Sequence, residues 1–313
     1  MITKLKRALL IYNPTAGAVR RDLKQVERLR VTLRQHGIIV SLRPTAYAGH
    51  ATLIARQAIT DGISIIVVCG GDGTINEVAQ SLVGSEAALA VWPGGTANVL
   101  AKELRLTRNM DALARLIAND SIRTISVGRA AKPEIGWQRY FLLMAGIGLD
   151  AAIVGKVDLE LKKFAGQGAY LAAGLDFLAR MPLTPFSLSF NGQRHESTFA
   201  VISNASHYAS MFRLAPGARI DDDKLRVCVF NARSRLAWLG NAFLSITGTH
   251  TLRRSVVYQE TGAAMANSND DAPVQLDGDI VGKLPMDFEI VPNALRIYAP
   301  EVCDSMMDKG WKF

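Results

Sequence analysis

An α/β fold is predicted for roughly the first 120 residues of this 313-residue chain, followed by a mostly antiparallel, β-rich domain. Two observations carry this. Up to about residue 110, short apolar runs alternate with segments of helical period, as in repeated β-α units around a parallel sheet. After about residue 123, runs of strand character follow one another with only two helical interruptions. The boundaries read as 1–122 for the first domain, rejoined by about 288–313, and 123–287 for the second.

Ala8–Tyr12 is wholly apolar, as a strand buried on both faces must be. A basic helix is predicted over 20–35, with Leu23, Val26, Leu29 and Leu33 on its apolar face and Gly37 ending it. Residues 38–42 read as strand, 51–60 as helix and 63–69 as the strongest strand of the chain. Helix 75–83, strand 89–92 and helix 98–104 complete the first domain. In the second, strands are predicted at 122–130, 140–145, 186–190, 198–204 and 225–230, with helices at 150–180 and 234–247 and a final strand at 287–298.

The composition is that of an ordinary globular protein, with 49% hydrophobic and 20% charged residues. At 7%, aromatics are too sparse for base-stacking platforms, so no nucleic acid partner is expected. Cys69, Cys228 and Cys303 are far apart in sequence and suggest neither a disulfide framework nor zinc, which fits a reducing cytoplasm. The apolar run after Lys4, Lys6 and Arg7 is cut by Asn13-Pro14, too short for a signal peptide. No run reaches the ~18 residues of a membrane span, so any membrane contact is expected to be peripheral. Residues 1–110 hold 14 basic and 7 acidic side chains, a balance of +7 in a chain whose total is +8. By charge alone such a lobe suits an anionic nucleotide, an anionic membrane surface or nucleic acid, or serves solubility alone. Arg20, Lys24 and Arg28 fall at i, i+4, i+8 on one face of the basic helix, either a solvated face or a headgroup contact.

Gly70-Gly71-Asp72-Gly73-Thr74 lies between the strongest strand and a helix. Glycines there let backbone N–H groups approach phosphate oxygens, and the helix N-terminus favours the same anion. Asp72 repels phosphate and is expected to act through Mg2+ or a hydroxyl. Similar loops follow the neighbouring strands: Asn13-Pro14-Thr15-Ala16-Gly17, then Thr45 with Gly49-His50, then Pro93-Gly94-Gly95-Thr96-Ala97-Asn98. All four fall on the carboxyl edge of the predicted sheet, where open α/β sheets bind ligands.

Gly70-Gly71-Asp72-Gly73-Thr74-Ile75-Asn76-Glu77-Val78 together with Pro93-Gly94-Gly95-Thr96-Ala97-Asn98 resembles the diacylglycerol kinase catalytic-domain family, which includes sphingosine and ceramide kinases and bacterial soluble lipid kinases. Ala218 to Leu225 resembles that family's acidic turn, and Leu276-Asp277-Gly278-Asp279 its C-terminal Asp-Gly-Glu motif, so the likeness runs along nearly the whole chain. It implies a NAD kinase-like nucleotide-binding domain and an ATP-dependent kinase that phosphorylates a membrane-lipid hydroxyl. ATP would be bound by Asn13, Pro14, Gly17, Thr45, Gly70, Gly71, Asp72, Gly73, Thr74, Ile75, Asn76, Gly95 and Thr96. A structural Mg2+ would be held by the Asp222 side chain and the backbone carbonyls of Arg219 and Lys224. Asp277 and Asp279 would sit across a cleft from the ATP loops, one of them as general base, with Asp72 as the third catalytic carboxylate.

Two departures matter. Asp223 stands where the family usually has Gly, and Asp279 where it usually has Glu, which makes Asp277 the fallback base. Asp150 reads either as a lining residue or as a helix cap, and His50 either as a neighbour of the nucleotide or as a cap. The resemblance implies peripheral association with an anionic membrane from the cytoplasm, and it leaves a homodimer open. The rival readings are a NAD kinase-like enzyme with a soluble substrate and a regulator that binds nucleotide and lipid without catalysis.

Overall fold

The computed structural model describes residues 5–148, 183–206, 214–231, 244 and 248–301. The chain divides into two compact units, 1–124 with 295–313, and 125–294.

In the first unit, strand β1 (Lys6–Tyr12) is followed by helices α1 (Gly17–Arg21) and α2 (Lys24–Gln35) and strand β2 (Ile38–Pro44). Helix α3 (His50–Thr60), strand β3 (Ile65–Gly70), helix α4 (Asp72–Leu82), strand β4 (Ala88–Pro93) and helices α5 (Val99–Glu103) and α6 (Met110–Ala118) complete it. The strands are parallel in the order β2-β1-β3-β4. Every residue of β3 and β4 is buried, which is why both are unbroken apolar runs. Val26, Leu29 and Leu33 of α2 and Leu113, Ala114 and Ile117 of α6 share a core with Leu10, Val67 and Ala90 of the strands. Because β1 leads to β2 on one side and β3 returns on its other side, the chain reverses direction between β1 and β3. At such a switch point the loops diverge and leave a crevice at the carboxyl edge.

The structure corrects the predicted basic helix. It is two helices, because the Asp22 carboxylate accepts the Lys24 N–H at 3.0 Å and starts a new one. Leu23, expected on the apolar face, is exposed. Arg20 therefore lies on α1 and Lys24 and Arg28 on α2, with Arg28 paired to Asp22.

In the second unit, β5 (Ile122–Lys132), whose first three residues belong to the first unit, pairs with β6 (Trp137–Phe141). Then come β7 (Met144–Gly148), β8 (Phe186–Phe190), β9 (Gln193–Ser197), β10 (Phe199–Ser203) and β11 (Leu225–Phe230). The last strands are β12 (Val256–Thr261), β13 (Ala263–Asn267), β14 (Pro273–Leu276), β15 (Asp279–Lys283) and β16 (Met286–Tyr298), whose C-terminal end returns to the first unit beside β4. One antiparallel sheet runs β12-β11-β10-β7-β14-β15, and β13 pairs with β8 and β16 in another. Their inner faces share a core that includes Ile147, Leu188, Ile202, Val227, Val274 and Phe288. The expected helices 150–180 and 234–247, apart from Leu244, lie outside the described residues, as do Asp150 and Cys303. Among the described residues, no helix is long and apolar enough to cross a membrane.

Candidate active site

The loops after β1 and β3 flank the switch point and are tied together at their bases. The Asn13 N–H donates to the Cys69 carbonyl at 3.2 Å, and the Asn13 side-chain amide reaches the Thr74 hydroxyl at 3.4 Å. The Asn13 side-chain Oδ1 in turn accepts the Thr15 N–H and hydroxyl at 2.9 and 2.8 Å, which fixes the turn that carries Pro14. A β-carbon on Gly17 would stand 3.3 Å from the Thr96 hydroxyl, so the loop after β1 also packs on the loop after β4.

The loops after β3 and β4 are in backbone contact. A β-carbon on Gly95 would lie 2.4 Å from the Gly71 Cα, and one on Gly94 3.1 Å from the Gly70 nitrogen. The Gly94 N–H donates to the Gly70 carbonyl at 2.9 Å. Gly70 has its own reason, since its β-carbon would press on Thr74 at 2.9 Å. Gly73 has none: nothing stands within 4 Å of its β-carbon position. Asn98, at φ 49°, closes the second loop by exchanging hydrogen bonds with the Gly95 N–H and carbonyl at 2.9 Å each. Arg108 donates to the Pro93 and Gly95 carbonyls at 2.9 and 2.8 Å, a latch that no short motif reveals.

Asp72 opens α4, and its carboxylate accepts the Leu100 N–H of α5 at 3.3 Å. Burial pushes its pKa above the usual carboxylate range, and backbone N–H groups of Leu100, Val99 and Asn98 counteract that. Ile75 and Asn76 are buried in the same helix, with the Asn76 side-chain Oδ1 accepting from the Gln80 amide at 3.0 Å. The Thr45 N–H donates to the Tyr12 carbonyl at 2.9 Å, which ties the end of β2 to the end of β1. His50 stacks on Tyr47 and accepts the Ala46 N–H at 3.0 Å, which braces the loop before α3. Glu77 stands in the first motif without an assigned role; its carboxylate accepts the Ala51 N–H of α3 at 3.1 Å while Thr52 donates to its backbone carbonyl at 2.7 Å.

In the second unit, Asp277 and Gly278 form the two-residue turn between β14 and β15, both with positive φ, 49° and 94°. Buried Gln275 accepts the Gly278 N–H at 2.7 Å and braces this turn. The two carboxylates part company here. That of Asp277 accepts the N–H groups of Leu142, Leu143 and Met144 at 2.7, 2.8 and 2.9 Å, and its own N–H donates to the Met144 carbonyl at 3.0 Å. That of Asp279 is half exposed and paired with Arg139 at 2.6 Å.

The acidic turn holds no convergent set of carboxylates. Asp221 is gripped by Arg219 at 3.1 and 3.3 Å. The Asp222 carboxylate lies between two guanidinium groups, Arg226 at 3.6 Å and Arg219 at 3.9 Å. The Arg219 carbonyl already accepts the Asp222 N–H at 3.0 Å. The oxygen donors expected for Mg2+ are present, but a resident divalent ion would share their only carboxylate with two cations that cannot give up a proton, and the set does not fit it. Among the described residues, no group of three His, Cys, Asp or Glu side chains is placed to hold a metal.

Comparison with known proteins agrees with this geometry. Residues 7–130 match the model of the diacylglycerol kinase catalytic domain, and residues 144–299 that of the YegS C-terminal NAD kinase beta sandwich-like domain. A diacylglycerol kinase of Staphylococcus carnosus is 28% identical over 305 residues, covering 95% of this chain and 96% of that protein. One from a Staphylococcus aureus strain is 29% identical over 303 residues, covering 94% and 93%. A crystal structure of a Bacillus anthracis diacylglycerol kinase superposes with a TM-score of 0.70 at 20% identity, over 95% of this chain and 98% of that one, a likeness of fold. With two family models spanning most of its length, its fold and its glycine loops in accord, the chain belongs to the diacylglycerol kinase catalytic-domain family and is a lipid kinase.

Proposed function

We propose that this kinase transfers the γ-phosphate of ATP, bound as its Mg2+ complex, to a hydroxyl of a membrane lipid of the diacylglycerol or sphingoid class. The observation that carries the nucleotide half is the backbone contact between Gly71 and Gly95 beside the switch point: with no β-carbon at the point of closest approach, a polyphosphate can come close to the loops and to the N-terminus of α4. Asn13, Gly17, Thr45, Thr74, Asn76 and Thr96 border the same edge, and Asp72 faces the metal carried by the nucleotide. Phosphoryl transfer asks the protein chiefly for positioning and charge neutralisation.

For the acceptor half, Asp279 is the general base. It takes the proton of the lipid hydroxyl as that oxygen bonds to the γ-phosphorus and the bond to the ADP oxygen breaks. Asp277 is a positioning residue, since three of its lone pairs are already engaged by backbone N–H groups. Arg139 orients the shorter Asp279 carboxylate. The kinase acts as a peripheral protein at the cytoplasmic membrane face, where the +7 balance of residues 1–110 favours anionic lipid.

The test is an assay with γ-labelled ATP and Mg2+ in which diacylglycerol, sphingosine and NAD are offered in parallel. Label is expected in an organic-extractable lipid product. Label in NAD, or none in any lipid while ATP still binds, would overturn the reading.

A further inference from the structure

The acidic turn before β11 poses a question of charge. Asp221, Asp222 and Asp223 stand side by side, and Glu260 of β12 faces them. Four adjacent carboxylates need cations. The expected remedy is a bound divalent ion. The structure supplies another, from basic side chains within the turn and just after it.

Arg226 is the second residue of β11 and stands directly opposite Glu260 in the β11–β12 register. Its Nη1 pairs with the Glu260 carboxylate. Its Nη2 faces back to the turn, 3.6 Å from Asp222 Oδ2 and 3.5 Å from the Gly217 carbonyl. Lys224 reaches the other Glu260 oxygen at 3.4 Å, and Arg219 holds Asp221. Three of the four carboxylates thus meet three fixed cations, Arg219, Lys224 and Arg226, and with exposed Asp223 counted the balance is −1. A divalent ion would turn that into +1, beside guanidinium groups that stay charged. The backbone needs no metal bridge either: the Ile220 carbonyl accepts the Ser126 N–H at 2.9 Å, which moors the turn to β5.

We infer that Arg226 is the resident cation of this turn, taking the place of a structural metal ion. Its planar fork joins the turn at Gly217 and Asp222 to β12 at Glu260, three points that a point charge bound to Asp222 would not reach together. Two consequences follow. The stability of the fold does not depend on divalent metal. The Mg2+ requirement of the reaction reduces to that of the nucleotide complex, so at fixed Mg-nucleotide the rate is flat in free Mg2+.

The test is thermal unfolding of nucleotide-free wild type and Arg226→Gln, each in EDTA and in millimolar MgCl2. Wild type is expected to melt at the same temperature in both. Arg226→Gln should melt lower in EDTA by at least roughly 2–4 °C, the shift expected for loss of one good interaction in a unit of this size, and Mg2+ should recover part of that loss. Wild type melting lower in EDTA, or Arg226→Gln matching wild type in EDTA, overturns the inference. Should Arg226→Gln fail to fold, Mn2+ binding to wild type and Asp222→Asn, followed by electron paramagnetic resonance, decides instead. Equal binding by the two supports an internal cation, and Mn2+ held by wild type but lost in Asp222→Asn refutes it.

Discussion

Gly95 lies so close to Gly71 that a β-carbon on Gly95 would stand 2.4 Å from the Gly71 Cα, nearer than any side chain tolerates. The obstacle is backbone, so neither partner can rotate away. Gly95→Ala must push the two loops apart or forfeit the Gly94-to-Gly70 hydrogen bond. We expect a stability loss of about 1–3 kcal/mol, the usual cost of overpacking, and a loss of kinase activity larger than that alone would cause. Gly73→Ala serves as the control, since its β-carbon would meet nothing within 4 Å and its φ is not positive. Melting curves and steady-state kinetics on the pair check this. Equal behaviour of the two variants would mean that the loop contact does not position the nucleotide.

Glu77 caps α3 from a different helix. Its carboxylate takes the Ala51 N–H, a donor that Gly49, the residue before the helix, has no side chain to satisfy. Glu77→Ala should cost about 1 kcal/mol, as the loss of an N-cap usually does. Glu77→Gln keeps an acceptor oxygen and should cost less. Denaturant unfolding of the three proteins measures this, and an unchanged midpoint for Glu77→Ala would disprove the cap.

How much of this was legible in the sequence depends on how far apart the determining partners lie. Ile65–Gly70 is readable because a strand buried on both faces has to be apolar throughout. The glycine loops are readable for the same local reason. Residues 140–145 read as one strand, yet β6 ends at Phe141 and β7 begins at Met144. The break is made by the Asp277 carboxylate, which draws in three N–H groups from more than 130 residues away, and no window of sequence contains both partners. Helix α6 is different. Asn109 accepts the Ala112 N–H at 3.0 Å, and Leu113, Ala114 and Ile117 follow at helical spacing, so a cap and a face were both available to a closer reading. So was the β14–β15 hairpin, since Asp-Gly between short apolar runs is a strong turn signal. Read for chemistry, Asp277-Gly278 hides its role in the backbone.

Asp72 combines a charge with a buried position, and this gives it a pH signature. Burial raises its folded-state pKa above that of an exposed aspartate. The folded protein therefore binds this proton more tightly than the unfolded chain does. The resulting stabilisation is complete below the unfolded pKa and fades as pH rises through the folded one. In Asp72→Asn the side-chain oxygen can still accept the Leu100 N–H, but there is no charge to desolvate. We expect its melting temperature at neutral pH to equal or exceed that of wild type, and its pH dependence above about 4 to be flatter. Turnover should fall by about 10²–10³, as when a charge stabiliser is lost. Wild-type turnover in Asp72→Asn would remove this carboxylate from the reaction.

Asp277 and Asp279 are separated by one residue and, in the structure, by what their carboxylates touch. Asparagine at 277 offers one carbonyl oxygen where the carboxylate uses both, and turns an amide N–H toward a backbone N–H. Leaving a partly buried donor unsatisfied costs about 1–3 kcal/mol, so Asp277→Asn should unfold at a lower temperature or denaturant concentration. Its activity should fall only as far as the displaced 142–144 segment disturbs the acceptor side. Asp279→Asn loses one ion pair of a half-exposed carboxylate, a loss worth little to stability. As the variant without a base, it should keep its melting temperature and lose about 10²–10⁴ in kcat. Asp279→Glu restores a carboxylate with longer reach and should retain activity. Arg139→Gln removes the partner that orients the Asp279 carboxylate and should lower kcat more than the affinity for ATP. A stable, inactive Asp277→Asn beside an active Asp279→Asn would reverse the two roles and return the base to Asp277.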